Sequence, residues 1–260
     1  MSYQLYHGDC LEVMPTLESE SVDMILCDLP YGTTACHWDS VIPFEPLWAQ
    51  YKRLIKPKGA IVLFGSQPFT SALVMSNIEW FKYCWVWEKR AAVGFLDANR
   101  KPMKDHEDIA VFANGQTIYN PQGLSNCMVK SSRKNGKTKK GGTYGSVADV
   151  TYWATVGNYP KSILSFQRLT SNQLHPTQKP ADLLAYLVRT YTNEGETVLD
   201  NTMGSGSTIV AATQEGRRAI GIEQDAGYFQ IAQKRCEEAS YQPSLFTKLA
   251  VEYQTAAMFG

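Results

Sequence analysis

Short apolar runs alternate along most of the chain with stretches in which apolar residues recur at helical spacing. The runs typical of buried strands lie at 21–28, 60–64, 83–87, 109–112, 196–200 and 218–223. The helical stretches lie at 44–55, 71–78, 180–192, 208–214 and 225–239. Strands that alternate with helices predict an α/β protein with a doubly wound, mostly parallel sheet. A ligand of such a sheet is expected beyond the carboxyl ends of the strands, where the strand order reverses.

The pattern changes between 114 and 172, which are rich in Gly, Asn, Ser, Thr and Lys and have weak periodicity. The chain as a whole is neutral, with 25 basic and 25 acidic residues, yet this part is strongly basic. Six of its cations fall within eleven positions: Lys130, Arg133, Lys134, Lys137, Lys139 and Lys140. Flexible cations of this kind suit contacts with nucleic acid phosphates, although a solvated surface loop has a similar composition.

The N-terminus, the apolar runs and the cysteines bear on the compartment, membrane association and metal binding expected of the protein. The N-terminus has no secretory pattern, and no apolar run approaches the length of a membrane helix. Six cysteines are scattered without a C-x-x-C pair, and Cys36-His37 has no matching second pair, so we predict reduced thiols and no metal site. We therefore expect a cytoplasmic protein without a membrane partner.

A glycine-rich turn follows the predicted strand 196–200. Asp200 ends this strand, and Gly204 and Gly206 lie in the turn before the next helix. Glycine permits positive φ angles and close approach of a ligand to the backbone. Glu223 ends the following strand, about twenty residues on, where an acid can accept hydrogen bonds from ribose hydroxyls. The pattern favours a cofactor that contains a nucleoside, and a tight turn beside a surface glutamate is the alternative.

A second candidate site follows the strand 21–28, in the sequence Asp28-Leu29-Pro30-Tyr31. The Asp28 carboxylate and the Leu29 carbonyl can accept hydrogen bonds from an aryl amine. Pro30 restricts the backbone, and Tyr31 offers a ring on which a base can stack. Taken alone, four such residues also fit an ordinary turn that contains proline.

Five ordered elements resemble the β group of DNA amino-methyltransferases. D-L-P-Y is similar to the D-P-P-Y signature of that family, and DNTMGSGST is similar to its D-P-F-x-G-S-G-T turn. HPTQKP (175–180), GDC (8–10) and IKPKGAIVLF (55–64) resemble three further elements. The resemblance spans about 8–112 and 172–238. It implies a circularly permuted, seven-stranded methyltransferase sheet with an inserted basic target-recognition segment, in which the strands that end at Asp28 and Asp200 are neighbours.

The resemblance also implies S-adenosylmethionine as the cofactor and assigns roles to single residues. Asp28, Leu29, Pro30 and Tyr31 would hold a flipped base for catalysis. The cofactor residues would be Asp200, Gly204 and Gly206 at the methionine part, Met203 as an apolar contact, Glu223 at the ribose, Asp9 at the adenine amino group, and Thr177 and Lys179 at the carboxylate. Two departures stand out: Leu29 replaces a proline, and Asn201-Thr202-Met203 replaces the usual Pro-Phe.

On this interpretation the chain has four parts: the catalytic half of the core (1–113), the DNA target-recognition segment (114–172), the cofactor-binding half (173–239) and a tail (240–260). The expected partner is double-stranded DNA, contacted by the six clustered cations. A homodimer is a candidate assembly, and Gln242, Leu245 and Phe246 resemble a peptide that docks on the bacterial sliding clamp. The resemblance also implies a bacterial or phage-encoded protein that acts in a restriction–modification system.

Several reactions share these motifs. Adenine N6 methylation is favoured by the carboxylate of Asp28, since cytosine N4 methylases more often carry serine there. Methylation of RNA or of a protein amide is a more distant alternative, because related enzymes usually have asparagine at that position. A DNA-binding protein with a degenerate core is disfavoured by the intact motifs. The recognition sequence, the residues that read bases and the oligomeric state stay open.

Overall fold

The computed structural model describes residues 2–32, 40–133, 150–169 and 178–241, with the backbone alone at 130–133, 150–152 and 241. The strands in these ranges are β1 (Tyr3–His7), β2 (Val22–Cys27), β3 (Ile55–Gly65), β4 (Phe81–Val93), β5 (Lys104–Phe112), β6 (Ser125–Arg133), β7 (Val150–Gly157), β8 (Ile163–Ser165), β9 (Thr197–Asp200) and β10 (Arg218–Glu223). The helices are α1 (Cys10–Val13), α2 (Phe44–Leu54), α3 (Phe69–Ser76), α4 (Ala181–Tyr191), α5 (Ser207–Gln214) and α6 (Ala226–Tyr241).

Eight strands form one sheet in the order β1-β10-β9-β2-β3-β5-β4-β8. Every neighbouring pair is parallel except the two pairs that involve β5. β2 and β9 lie side by side, with Ile25 opposite Leu199, although they are far apart in sequence. The chain winds outward from this pair in both directions, which places the switch point between them. The doubly wound, mostly parallel fold is thereby confirmed, with eight strands in this sheet rather than seven.

The helices cover both faces of this sheet. On one face, α4, α5 and α6 pack on a cluster that includes Met24 and Leu26 of β2. On the other face, α1, α2 and α3 pack on a second cluster, which includes Ile25 and Cys27. All six residues of β2 are buried for this reason. A strand covered on both faces is mostly apolar, which explains the apolar run in its sequence. The exception in β2 is Asp23, which pairs with Lys56 at 2.8 Å.

A second compact unit comprises residues 121–161. Its described part contains β6 and β7, which pair antiparallel with Ser125 opposite Gly157. The unit is narrower than the insertion predicted at 114–172. Residues 114–120 and 162–169 belong to the main unit, because β8 pairs with β4 and Asn120 donates its backbone N–H to Thr190.

Four further differences concern the strands of the main sheet. β1 was not predicted, since its pattern at the sheet edge is half-buried and contains polar residues. β3 begins at Ile55 rather than at 60, because Ile55 pairs with Val22. β4 and β5 are much longer than the predicted 83–87 and 109–112, because they continue as a hairpin of mostly polar residues.

Among the described residues, no helix is long and apolar enough to cross a membrane.

Candidate active site

A cavity of about 440 Å³ opens at the carboxyl ends of the central strands of the main sheet. Its walls come from the residues that follow β1, β2, β9 and β10, together with the segments before α2 and α4 and the start of α5. Predicted site residues that line it are Asp9, Asp28, Leu29, Pro30, Tyr31, Lys179, Asp200, Met203, Gly204 and Glu223. Its volume lies within the usual range for sites that bind cofactors. The two motifs found separately in the sequence therefore share one cavity at the switch point.

Asp28 directly follows β2 and is held by two side chains. Tyr31 donates its hydroxyl to Asp28 Oδ1 at 2.6 Å. Lys179 donates from Nζ to Asp28 Oδ2 and forms an ion pair with it. The carboxylate is thus fixed in the wall of the cavity, with both of its oxygens accepting hydrogen bonds. The resemblance assigned Lys179 to the cofactor carboxylate, and its contact with Asp28 was not predicted.

A chain of buried charges continues behind Lys179. Its Nζ lies 3.5 Å from Glu107 Oε2, and Glu107 Oε1 accepts from Lys89 at 2.5 Å. Burial opposes the charge of Lys179, but the anions of Asp28 and Glu107 outweigh it and raise its pKa. Burial likewise opposes the charge of Glu107, but Lys179 and Lys89 outweigh it and lower its pKa. The four groups therefore form an alternating row of two cations and two anions.

The rest of the Asp28 motif is anchored by packing. The Leu29 side chain is 3% exposed and belongs to the core cluster under α1 to α3. The ring of Tyr31 stacks on Phe69, with the ring centroids 5.0 Å apart. Leucine at position 29 lacks the rigidity of proline, but its burial fixes the same turn by contact with the core.

Asp200 lies at the base of the cavity and is 3% exposed. Burial raises its pKa to about 7, and hydrogen bonds from Thr208 and the Thr202 backbone N–H oppose that rise. A carboxylate this poorly solvated is well suited to a cationic ligand group. Glu223 lies nearby and accepts from the backbone N–H of Gly204 and of Asp225, each at 2.8 Å. Burial raises the pKa of Glu223 as well.

Gly204 and Gly206 differ in what they do. Gly204 lines the cavity in a left-handed conformation, with φ at 51°. Gly206 also has a positive φ of 78°, but it is absent from the cavity wall. A Cβ at position 206 would come within 3.0 Å of the Ala232 Cβ on α6. Gly206 thus permits close packing of α5 on α6, whereas the sequence placed it at the cofactor.

A polar network that the sequence did not predict lies beneath the turn. Asn201 Oδ1 accepts from the Tyr51 hydroxyl at 2.6 Å and from Cys27 Sγ at 2.8 Å. Thr202 donates its hydroxyl to the Asp28 carbonyl at 3.2 Å. The residues that replace the usual Pro-Phe therefore tie the cofactor turn to β2. No local sequence pattern predicts the link between Asn201 and these two residues, because Tyr51 and Cys27 follow the apolar patterns of a helix and a buried strand.

The other predicted residues divide into two groups. Asp9 lines the cavity and caps α1, accepting from the Leu11 backbone N–H at 2.8 Å. Lys130 and Arg133 lie on β6, where only the backbone is described. Thr177, Lys134, Lys137, Lys139, Lys140 and the clamp-like residues Gln242, Leu245 and Phe246 lie outside the described residues.

A doubly wound α/β sheet with an acidic cavity at its switch point is typical of proteins that bind a cofactor containing a nucleoside. The sequence profile of the DNA methylase family of N6 and N4 type matches residues 22–234. The chain therefore belongs to this family.

Relatives and solved structures agree with this assignment. The chain is 27% identical to the type II methyltransferase M2.DpnII of Streptococcus pneumoniae, over 90% of this chain and 89% of the relative. It is 26% identical to the DNA adenine methyltransferase YhdJ of Escherichia coli, over 91% and 83% of the two chains. The crystal structure of an M1.HpyAVI–SAM complex aligns with a TM-score of 0.61 at 26% identity, over 90% of this chain and 99% of that one. The protein is an S-adenosylmethionine-dependent DNA methyltransferase, and its target is adenine N6 or cytosine N4.

Proposed function

We propose that this protein methylates adenine N6 at a specific sequence in double-stranded DNA, on a base flipped out of the helix. The observation that carries this proposal is the Asp28 carboxylate, which lines the cavity and is held by Tyr31 and Lys179. A carboxylate accepts hydrogen bonds from the N–H groups of either target amine. It favours adenine because cytosine N4 methylases more often carry serine at this position. The adenine activity named for YhdJ, which aligns with 91% of this chain, agrees with the choice.

The chemistry asked of the protein is mainly positioning. S-adenosylmethionine supplies the methyl group as an electrophile. The adenine amine is a weak nucleophile, because its lone pair is delocalised into the ring. Hydrogen bonds to Asp28 and to the Leu29 carbonyl favour a tetrahedral nitrogen whose lone pair points out of the ring plane. The nitrogen–carbon bond then forms as the methyl–sulfur bond breaks, and the amine proton leaves by way of Asp28.

The base and the cofactor meet between the two motifs. Tyr31, backed by Phe69, offers its ring to the flipped base. Flipping is required because an enzyme cannot reach this amine inside a duplex. On the cofactor side, the buried carboxylate of Asp200 accepts the methionine ammonium, and Glu223 accepts from the ribose hydroxyls. Asp9 accepts from the cofactor adenine amine, and Met203 supplies the apolar contact. Thr177 is assigned to the cofactor carboxylate.

Contact with DNA outside the active site falls to the basic segment. Lys130, Arg133, Lys134, Lys137, Lys139 and Lys140 are assigned to phosphates. They supply affinity, and other residues of the segment supply sequence recognition. The predicted clamp peptide and a homodimer are further proposals that rest on sequence alone.

The test is to express the chain in a bacterial host that lacks DNA methylation and to map modified bases across the genome. We expect N6-methyladenine at one short sequence. The Asp28→Ala variant should abolish the modification while the purified protein still binds S-adenosylmethionine. Lys234→Gln, which alters an exposed cation on α6 outside the cavity, is the control for expression and folding.

Two results would contradict the proposal. N4-methylcytosine in place of N6-methyladenine would retain the methyltransferase and reject the base. Wild-type activity in Asp28→Ala would reject the chemistry assigned to this carboxylate, whichever base is modified.

A further inference from the structure

β4 and β5 extend as a two-stranded arm beyond the carboxyl edge of the main sheet. Gly65, the last residue of β3, lies opposite Asp108, which lies opposite Val86. Beyond these paired residues, β4 continues from Val86 to Val93, and the part of β5 from Lys104 to Asp108 runs beside it in the opposite direction. Val93 pairs with Lys104, which lies four residues from Asp108 on β5, so at about 3.3 Å per residue the paired part projects about 13 Å past the end of β3. We refer to residues 90–104 as the arm.

The arm leaves the sheet at the same edge as the active site. Cys27, the last residue of β2, lies opposite Leu63, so Asp28 is nearly level with the end of β3. β4 is the third strand from β2 in the sheet order, which corresponds to about 14 Å at the usual strand spacing. DNA that presents a base to Asp28 must therefore approach the side from which the arm projects.

The tip of the arm exposes two large apolar side chains. Gly94 turns the chain with a φ of 94°, and a short 3-10 turn follows at Phe95–Asp97. Phe95 is 78% exposed and Leu96 is 99% exposed. Single exposed apolar residues need no explanation. Two adjacent ones at the end of a projecting hairpin form an apolar wedge.

Two cations follow this wedge closely in the sequence. The arm contains four basic residues and one acidic residue. Arg100 and Lys101 are exposed beside the tip. Lys101 pairs with Asp97 at 3.1 Å, but both side chains are largely open to water, so this pair is weak and can exchange for a phosphate.

We infer that the arm is a DNA-contacting element in addition to the basic segment, and that Phe95 and Leu96 wedge into the duplex beside the flipped base. Arg100 and Lys101 then bind the flanking phosphates. A two-stranded ribbon fits the major groove, which is about 12 Å wide. Apolar side chains inserted between base steps unstack them, and this lowers the cost of extruding a neighbouring base. The inference rests on the proposed function, since it takes duplex DNA as the substrate.

The first experiment compares Phe95→Ala/Leu96→Ala with wild type and with Met75→Ala, an exposed apolar control on α3. The substrates are a duplex that carries the mapped recognition site and the same duplex lacking the base opposite the target. On the paired duplex we expect kcat/KM to fall about tenfold or more for the double variant alone. On the duplex with the missing partner base, most of this loss should disappear, because the target base is already unpaired. A merely structural role for the tip would lower both rates equally.

The second experiment tests the cations by salt dependence. Removal of two phosphate contacts should reduce the slope of log K against log salt by about 1.8. Arg100→Gln/Lys101→Gln should show this reduction. Lys52→Gln/Lys58→Gln, which neutralises two cations outside the arm and the basic segment, should not.

The outcomes separate this inference from the proposed function. If wild type fails to methylate DNA, the proposed function is wrong. If wild type methylates DNA while both arm variants keep its rates and its salt slope, only the arm inference is wrong. The wild-type protein could also be a dimer that the double variant of the tip converts into a monomer, with DNA binding unchanged. That result would assign the tip to a subunit interface and would also overturn the inference.

Discussion

The row of buried charges behind Asp28 makes a quantitative prediction for Glu107→Gln. In wild type, Glu107 lies between the ammonium groups of Lys89 and Lys179, at 2.5 and 3.5 Å. The side chains of Lys89, Glu107 and Lys179 are 11%, 13% and 8% exposed, so water solvates them poorly. The substitution keeps the size of the side chain and removes its charge. It leaves two buried cations and one anion, Asp28, which pairs with Lys179 alone.

The size of the effect follows from which cation loses its partner. Removal of one partner from a buried ion pair costs about 3–5 kcal/mol of stability. Lys179 keeps Asp28, and only Lys89 is left without an anion at contact distance in the row. We therefore expect the lower end of this range, about 3 kcal/mol. Lys101→Gln breaks a pair whose side chains are 65% and 45% exposed, and it should cost less than about 1 kcal/mol.

The assay is urea unfolding at neutral pH, with the free energy of unfolding obtained by linear extrapolation. Glu107→Gln/Lys89→Met completes the test, because it removes the isolated cation together with the anion. Replacement of a buried ion pair by an apolar group is often neutral or stabilising. The double variant should therefore regain most of the stability that Glu107→Gln loses.

Two results would refute this reasoning. A loss in Glu107→Gln no larger than the loss in Lys101→Gln would show that the row contributes no more than a surface pair. A double variant less stable than Glu107→Gln would show that Lys89 stabilises the fold by something other than its charge pairing with Glu107.

Three further predictions concern other parts of the molecule. Burial raises the pKa of Asp200 from 3.8 to about 7, so its contribution to stability is fully present below pH 3.8 and is lost as the pH rises to about 7. In urea titrations at a series of pH values, wild type should therefore lose stability relative to Asp200→Asn between these two pH values. Gly206→Ala should lower the free energy of unfolding by about 1–3 kcal/mol in urea titrations, because the added methyl group crowds α6 and the residue has a φ of 78°. An unchanged free energy of unfolding would contradict the packing role. Neutralisation of Lys137, Lys139 and Lys140 together should weaken DNA binding and reduce the salt slope by about 2 to 3, and an unchanged slope would reject their contact with phosphates.

The sequence by itself determined the fold class and the two motifs. Buried parallel strands covered on both faces are mostly apolar runs, so β2 and β9 could be located from sequence alone. The motifs at Asp28 and Asp200 were found because each consists of consecutive residues at the end of such a strand. Their resemblance to a family with a permuted sheet then predicted that they meet, and the pairing of β2 with β9 confirms it.

Tertiary structure alone decided the contacts that hold the site together. Lys179 reaches Asp28 across 151 positions, and Asn201 reaches Tyr51 across 150. Such contacts leave no periodic signal, because each partner follows the pattern of its own helix, strand or loop. The raised pKa of Asp200 is likewise a property of burial rather than of sequence.

The least predictable elements lie where the sheet stops being buried. β1 and β8 are short edge strands with mixed patterns, and the arm mixes charged, small and apolar residues without a regular pattern. Backbone pairing with a neighbouring strand, rather than an apolar run, makes these segments strands. For the same reason, the exposure of Phe95 and Leu96 became visible only when the register of β4 and β5 placed them beyond the edge of the sheet.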